Sequence, residues 1–395
     1  MFSRALCLFA LVAIAASGPT HPRNVTLVPK QTNKQIYIHW MPWFENRQTN
    51  TNGQWGIHWT MANRNPDNII GPDNQREIAA HYYPEIHPYG SADPITLDYQ
   101  IQSMKMAGVD GILIDWPGTV QANDLPKNHE NCMAMINRLE GSGLQFGVVY
   151  EDRNLENTGD RIGQARRDME FARDNFFSRG NYIRYNINAP LMLVFGPIIL
   201  QSPSEWDQVF SVLPQKPTFL TLWYESQDAG ANAQGEYAWI YSDFMDGLNN
   251  FYDNRPLPVK MGVAYPGFYD YYREGGWGDS YFFIAHEGLT TFQRTLNRAL
   301  QSDVPMIQVG TWNDYGEGTM IEPTREFGNG FLNILANTLG VPVGDKEFNL
   351  VKELFFRRKD AEAKKDFALT QKLEEVNELI NSVQYERAAE LLRAI

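Results

Sequence analysis

Eight short apolar runs, most of them followed by a segment with helical spacing, set the strongest limit on what this chain can fold into. The runs are Ile36–Trp40, Gly111–Trp116, Phe146–Asp152, Leu191–Phe195, Phe219–Glu225, Trp239–Tyr241, Val259–Val263 and Pro305–Trp312. They are brief and largely non-alternating, which suits strands buried on both faces. Helical signals lie between them. Asp93-Pro94 offers a cap and a first-turn proline, Leu97, Ile101 and Met104 share one face, and Gly108 ends the segment. Further helical segments are predicted at 128–140, 161–177, 204–212 and 290–300. Strand-then-helix repetition predicts a parallel α/β sheet. Eight such units over some 300 residues predict a closed (β/α)8 TIM barrel. A doubly wound open sheet competes, but no glycine-rich dinucleotide fingerprint follows the first strand.

The 395 residues carry 47 Asp+Glu against 34 Lys+Arg, a net charge of −13, which repels phosphate backbones and argues against nucleic acid as a partner. The 10 Trp, 19 Tyr and 22 Phe can fill a core, and beside carboxylates they also suit a sugar-binding cleft. At the N-terminus Arg4, the apolar run Ala5–Ala16 and the small residues up to Gly18 have the layout of a secretory signal peptide, too short to span a bilayer. The expected organisation is a signal peptide at 1–18, a barrel at 19–344 and a helical segment at 345–395, in a secreted protein with no membrane association once mature. Asn24-Val25-Thr26 is a glycosylation sequon, consistent with a secreted glycoprotein. Cys7 leaves with the signal, so Cys132 stands alone; its neighbours Met133 and Met135 suggest a buried helix rather than a catalytic thiol.

Residues 345–395 hold 10 Lys+Arg and 11 Asp+Glu with no Gly or Pro, and apolar residues recur at helical spacing. Two or three amphipathic helices are expected, with a break near Ser382–Gln384. They either pack on the barrel as a helical hairpin or form a partner-binding or dimer element.

Acidic or aromatic residues end five of the eight runs: Trp40, Asp115-Trp116, Glu151-Asp152, Glu225 and Trp312-Asn313-Asp314. In a barrel the carboxyl ends of the strands share one rim, and active sites are built there. Helix N-capping accounts for Asp and Asn at such positions. It does not account for the tryptophans.

Two segments carry a resemblance. One is His81-Tyr82-Tyr83-Pro84-Glu85-Ile86-His87-Pro88-Tyr89-Gly90-Ser91-Ala92-Asp93-Pro94, and the other Thr311-Trp312-Asn313-Asp314-Tyr315-Gly316-Glu317-Gly318-Thr319-Met320-Ile321-Glu322-Pro323. Together, over about residues 36–340, they resemble the glycoside hydrolase clan of family 99 (endo-α-mannosidases) and family 71 (α-1,3-glucanases). Trp-Asn-Asp-Tyr-Gly-Glu matches family 71 letter for letter, whereas Gly-Thr-Met-Ile-Glu follows family 99. The resemblance implies a (β/α)8 barrel that hydrolyses an α-linked polysaccharide or glycan without metal or cofactor. It places Asp314 on the first catalytic carboxylate, which in family 99 acts as a base on the sugar's own 2-hydroxyl, and Glu317 on the general acid/base. Asp314 is one methylene shorter than the glutamate of family 99 and so leans toward family 71. The resemblance also implies substrate contacts for Glu151, Tyr265, Trp40, Trp43 and Tyr83. The strand-end argument adds Asp115, Trp116, Trp312 and Asn313.

The chemistry agrees with that assignment. Glycoside cleavage needs one carboxylic acid to protonate the leaving oxygen and a second carboxylate to assist at the anomeric carbon. Asp314 and Glu317, three apart in a Gly-containing loop, can face one cleft, although Asp314 can also simply cap a short helix. Glu322, before Pro323, reads as a hydrogen-bonding group at the rim rather than an actor. His39, His58, His81 and His87 show no zinc-site spacing, so no metal is expected. A catalytically inactive barrel that binds carbohydrate is the alternative from another class, and the intact carboxylate pair argues against it.

Overall fold

Eight parallel strands close on themselves. In the computed structural model, which describes residues 26–186 and 188–395, they are β1 Gln35–Trp40, β2 Gly111–Trp116, β3 Gln145–Tyr150, β4 Ala189–Val194, β5 Thr218–Leu222, β6 Gly235–Tyr237, β7 Val259–Ala264 and β8 Met306–Val309. Each pairs with its chain neighbour, and β1 pairs with β8 through Ile36–Ile307 and Ile38–Val309, which seals the ring. The expected TIM barrel is therefore the fold. The expected signal peptide and Asn24 lie outside the described residues. No helix of the described residues is long and apolar enough to cross a membrane.

Seven helices pack around the ring: α1 Pro94–Met106, α2 Leu125–Arg138, α3 Arg161–Ala172, α4 Pro203–Phe210, α5 Phe244–Asn254, α6 Thr290–Gln301 and α7 Gly330–Leu339. Asp93 caps α1 by accepting from Thr96 N at 2.8 Å, with Pro94 in the first turn as the sequence indicates. Cys132 is fully buried in α2.

The sixth strand differs from its sequence-based expectation. The apolar signal at Trp239–Tyr241 lies beyond it, and the strand is Gly235-Glu236-Tyr237. Glu236 is fully buried there and is held by Arg255, so an ion pair replaces the apolar content the strand lacks. Gly235 is required because a Cβ would lie 1.8 Å from the Val259 carbonyl oxygen. Trp239 and Ile240 instead form part of a cleft wall.

After α7 the chain continues as α8 Asp345–Lys364, α9 Phe367–Asn381 and α10 Tyr385–Ala394, with the break at 382–384 as expected. These helices explain why three polar residues of α1, Asp98, Gln102 and Lys105, are buried. Arg358 of α8 binds Asp98 at 2.7 Å, Gln102 donates to Asn377 Oδ1 at 2.7 Å, and Lys105 Nζ donates to the carbonyls of Ser142 and Asn381, both at 2.7 Å. Lys352 and Lys359 add bonds to Glu85 and Asp93. The C-terminal segment is thus packed on the barrel through matched polar groups. Lys105→Met keeps the aliphatic stem but strips two carbonyls of their donor. It is expected to cost about 2 kcal/mol, read as a lower midpoint in denaturant unfolding at unchanged slope.

Candidate active site

A cleft of about 420 Å³ opens at the carboxyl ends of the strands. Its walls come from the β1–α1 loop (Met41, Trp43, His58), the β7–α6 loop (Phe268, Tyr272, Tyr281, Phe282) and the segment after β8 (Asp314, Glu317). His39, Asp115 and Glu151 reach it from the ends of β1, β2 and β3. Trp43 stacks on His58 with ring centroids 4.4 Å apart at 10°.

Asp314 and Glu317 share this cleft, and the local turn holds them there. Asp314 Oδ1 accepts from Glu317 N at 3.1 Å, and Asp314 N donates to Thr311 Oγ1 at 2.8 Å. Asp314 is nearly fully buried, and burial raises its pKa to about 7. Glu317 is raised to about 8, first by burial and then by the Asp314 charge. Tyr272, from the β7–α6 loop, donates its hydroxyl to Glu317 Oε1 at 2.9 Å.

A second acidic pair, Asp115 and Glu151, lines the same cleft from the ends of the neighbouring strands β2 and β3. Burial raises Glu151 to about 7, and burial plus the Glu151 charge raises Asp115 well above the carboxylate range. Among the described residues no three His, Cys, Asp or Glu side chains are grouped as metal ligands.

The nine expected substrate-binding residues divide cleanly. Trp43, Asp115 and Glu151 line the cleft, and the other six do not. The period of two along a strand explains two of the six, because adjacent residues must point to opposite faces. Trp40 turns outward, fully buried, and its Nε1 donates to Gln100 of α1 at 3.0 Å; its neighbour His39 takes the inward place. Trp116 likewise turns outward against Phe171 and Phe176 and donates to His129 at 3.0 Å, because Asp115 points inward. Asn313 bridges to the backbone of Met41 through both its amide atoms, at 2.8 and 3.0 Å. Trp312 is buried with its Nε1 on Glu322. Tyr265 is buried, with its backbone N–H on Thr295 and its ring against Phe244. Tyr83 packs under Arg325 and accepts from Arg76 N, away from the cleft. Of the other strand-end acids, Asp152 accepts from the backbone N–H groups of Ile198, Ile199 and Leu200, and Glu225 precedes a short helix, so neither enters the cleft.

Glu322 is the structural centre of the second motif. Its Oε1 accepts from Gln100 and Trp312, at 2.8 and 3.0 Å, and its Oε2 from Tyr89 and Tyr315, at 2.7 and 2.8 Å. The first motif is structural as well: Tyr89 serves Glu322, Glu85 pairs with Lys352, and Asp93 caps α1. Tyr272, His39 and Trp239 are cleft residues that sequence reasoning did not assign to the site. The available signal for His39 was its place beside Trp40 in a strand, had the inward phase been known.

No protein-family model matches the chain. A glycoprotein endo-α-1,2-mannosidase of Xenopus laevis is 21% identical over 329 residues, covering 73% of this chain and 70% of that protein. A glycoprotein endo-α-1,2-mannosidase-like protein of Mus musculus is 22% identical over 276 residues, covering 62% of this chain and 58% of that protein. Among solved structures, the GH99 endo-α-mannosidase from Bacteroides thetaiotaomicron superposes with a TM-score of 0.61 at 18% identity, covering 83% of this chain and 99% of that one. A glycoside hydrolase-like protein gives 0.53 at 12% identity, covering 82% and 97%. In sequence and in fold, then, the chain is family 99-like: it resembles the endo-α-mannosidases of glycoside hydrolase family 99.

Proposed function

We propose that the chain is a secreted glycosidase that cuts within an α-linked mannan, glucan or related glycan, with Glu317 as general acid/base and Asp314 as its carboxylate partner. The observation that carries this reading is the convergence of Asp314 and Glu317 in one strand-end cleft, both displaced toward neutrality by burial. Two carboxyl groups with separated pKa values are what acid and base roles require. Glu317, the more strongly raised, holds a proton near neutral pH and passes it to the glycosidic oxygen. The C–O electron pair leaves with that oxygen, and positive charge develops at the anomeric carbon. Asp314 in its ionised form assists there, directly or through the 2-hydroxyl of the sugar, and water completes the hydrolysis with Glu317 taking back a proton. Secretion rests on the N-terminal sequence.

The pH profile follows from the same groups. Activity falls above about pH 8 as Glu317 loses its proton, and below about pH 7 as Asp314 gains one; the two limbs belong to the coupled pair. The expected kcat/KM maximum is near neutrality. An acidic optimum near pH 4 to 5, the range of ordinary exposed carboxyls, would contradict this assignment.

The deciding experiment is a screen of the purified protein on α-mannans, α-1,3-glucan and other polysaccharides, with product anomers followed by NMR. Hydrolysis identifies the linkage and the stereochemical outcome. Binding without release of any product would favour the inactive carbohydrate-binding barrel.

A further inference from the structure

The floor of the cleft contains polar atoms that the protein itself leaves unmatched. Asp115 Oδ1 is buried and makes no hydrogen bond. His39 Nδ1 is likewise without one, although Gln308 of β8 lies beside the imidazole. Asp115 is 4% exposed and His39 1%, yet both belong to the cleft lining. His39 Nε2 lies 4.0 Å from Asp115 Oδ1, too far for a direct bond. Native proteins satisfy nearly all such atoms, so exceptions at a cleft call for a partner. Elsewhere this chain satisfies its buried carboxylates fully: Glu322 has four donors, Asp152 has three backbone donors, and Glu236 has Arg255.

We propose that His39 and Asp115 form a hydroxyl-reading pair on the cleft floor, which selects one ring hydroxyl of the sugar held against Asp314 and Glu317. The inference rests on the glycosidase reading and deepens it. The geometry suits a single bridging hydroxyl. An oxygen about 2.8 Å from both atoms of the 4.0 Å gap subtends roughly 90° at itself, within the range a hydroxyl tolerates when it donates once and accepts once. His39 Nε2 faces this gap and meets the oxygen as donor or acceptor according to its tautomer. Asp115 Oδ1, which has no partner within the protein, takes the complementary part. Burial keeps His39 neutral, with its pKa lowered to about 3, so the contact is a hydrogen bond and not an ion pair. Trp239 packs edge-on against the imidazole, with ring centroids 4.8 Å apart, so the direction of Nε2 is set before substrate arrives. A site built to pair with a hydroxyl strongly rejects the analogue that lacks it, because its buried polar atoms stay unmatched.

The test measures binding of α-linked mannobiose and glucobiose by calorimetry, together with versions of each lacking one ring hydroxyl, to the full chain and to His39→Leu, His39→Gln and Asp115→Asn. For the disaccharide that the full chain prefers, loss of one particular hydroxyl is expected to weaken binding about tenfold or more. His39→Leu should abolish that discrimination, and His39→Gln, which keeps a donor and an acceptor, should restore part of it. Thermal melting confirms that each variant is folded, and the Asp115→Asn arm repeats the test if His39→Leu fails to fold. Discrimination that survives in His39→Leu, or the absence of any single-hydroxyl preference, overturns the inference. Polysaccharide hydrolysis with unaltered discrimination would sink the hydroxyl-reading pair and leave the glycosidase reading standing. Discriminating binding without hydrolysis would do the reverse.

Discussion

Glu317→Gln is expected to lower hydrolysis by about a thousandfold or more, in line with the loss of a general acid, while the barrel stays folded. Asp314→Asn is expected to do the same. Both changes are nearly isosteric and both amides remain polar, so neither opens a cavity. The accompanying stability change distinguishes a catalytic carboxyl from a structural one. The folded state raises Glu317 to about 8 and Asp314 to about 7, above their ordinary values near 4.5 and 3.8. A carboxyl raised in this way favours the folded state while it is protonated. Its contribution is fully present below the unfolded pKa and is lost as pH rises through the folded one. Between about pH 4 and pH 8 both groups therefore weaken the fold progressively. An amide does not titrate, so Glu317→Gln should melt higher than the parent at pH 8 and about equally at pH 4. Melting curves at the two pH values, beside activity on the preferred polysaccharide, read both effects. A variant that lost activity only because it unfolded would melt lower at both.

The largest stability effect is expected at Glu322. Substitution by Ala removes the acceptor for the hydroxyls of Tyr89 and Tyr315, the amide of Gln100 and the indole N–H of Trp312. All four donor residues are buried, so none finds water without rearrangement. Leaving that set unmatched is expected to cost about 4 kcal/mol, a fall in Tm of roughly 5 °C for a chain of this size. Glu322→Gln should be milder, since it keeps one acceptor oxygen while turning an NH2 toward two donors. Activity should fall with Glu322→Ala even in the folded fraction, because Trp312 and Tyr315 bracket Asp314 in the chain. If Glu322→Ala melts within a degree or two of the parent, the hub does not hold this loop.

Much of the molecule was legible before its structure. The barrel followed from eight strand-then-helix units, because a strand buried on both faces leaves a run that needs no alternation to be seen. The start of α1 was legible from Asp93-Pro94, and the C-terminal break from 382–384. That Asp314 and Glu317 can share one cleft was legible from their spacing, because residues three apart in one turn need no distant information to come together; their expected roles came from the resemblance. The limit appears at Trp40 and Trp116. A run that is apolar on both faces carries no signal for its phase, so the same reading that found each strand end could not say which of two neighbours points inward. The more conspicuous tryptophans turned toward the helices, and His39 and Asp115 took the cleft. Nor did the first motif announce that its Tyr89 and Glu85 serve Glu322 and Lys352 rather than a ligand.

The chain's own order of residues determined a closed α/β barrel, its helical C-terminal segment and the loop that bears two neighbouring acids, since each depends on local periodicity, capping or spacing. Only the closing of the ring decided which strand-end side chains share the cleft and that Tyr272, 45 positions from Glu317, donates to it. Those outcomes depend on strand phase and on loops that meet across a rim, and sequence separation carries no information about either.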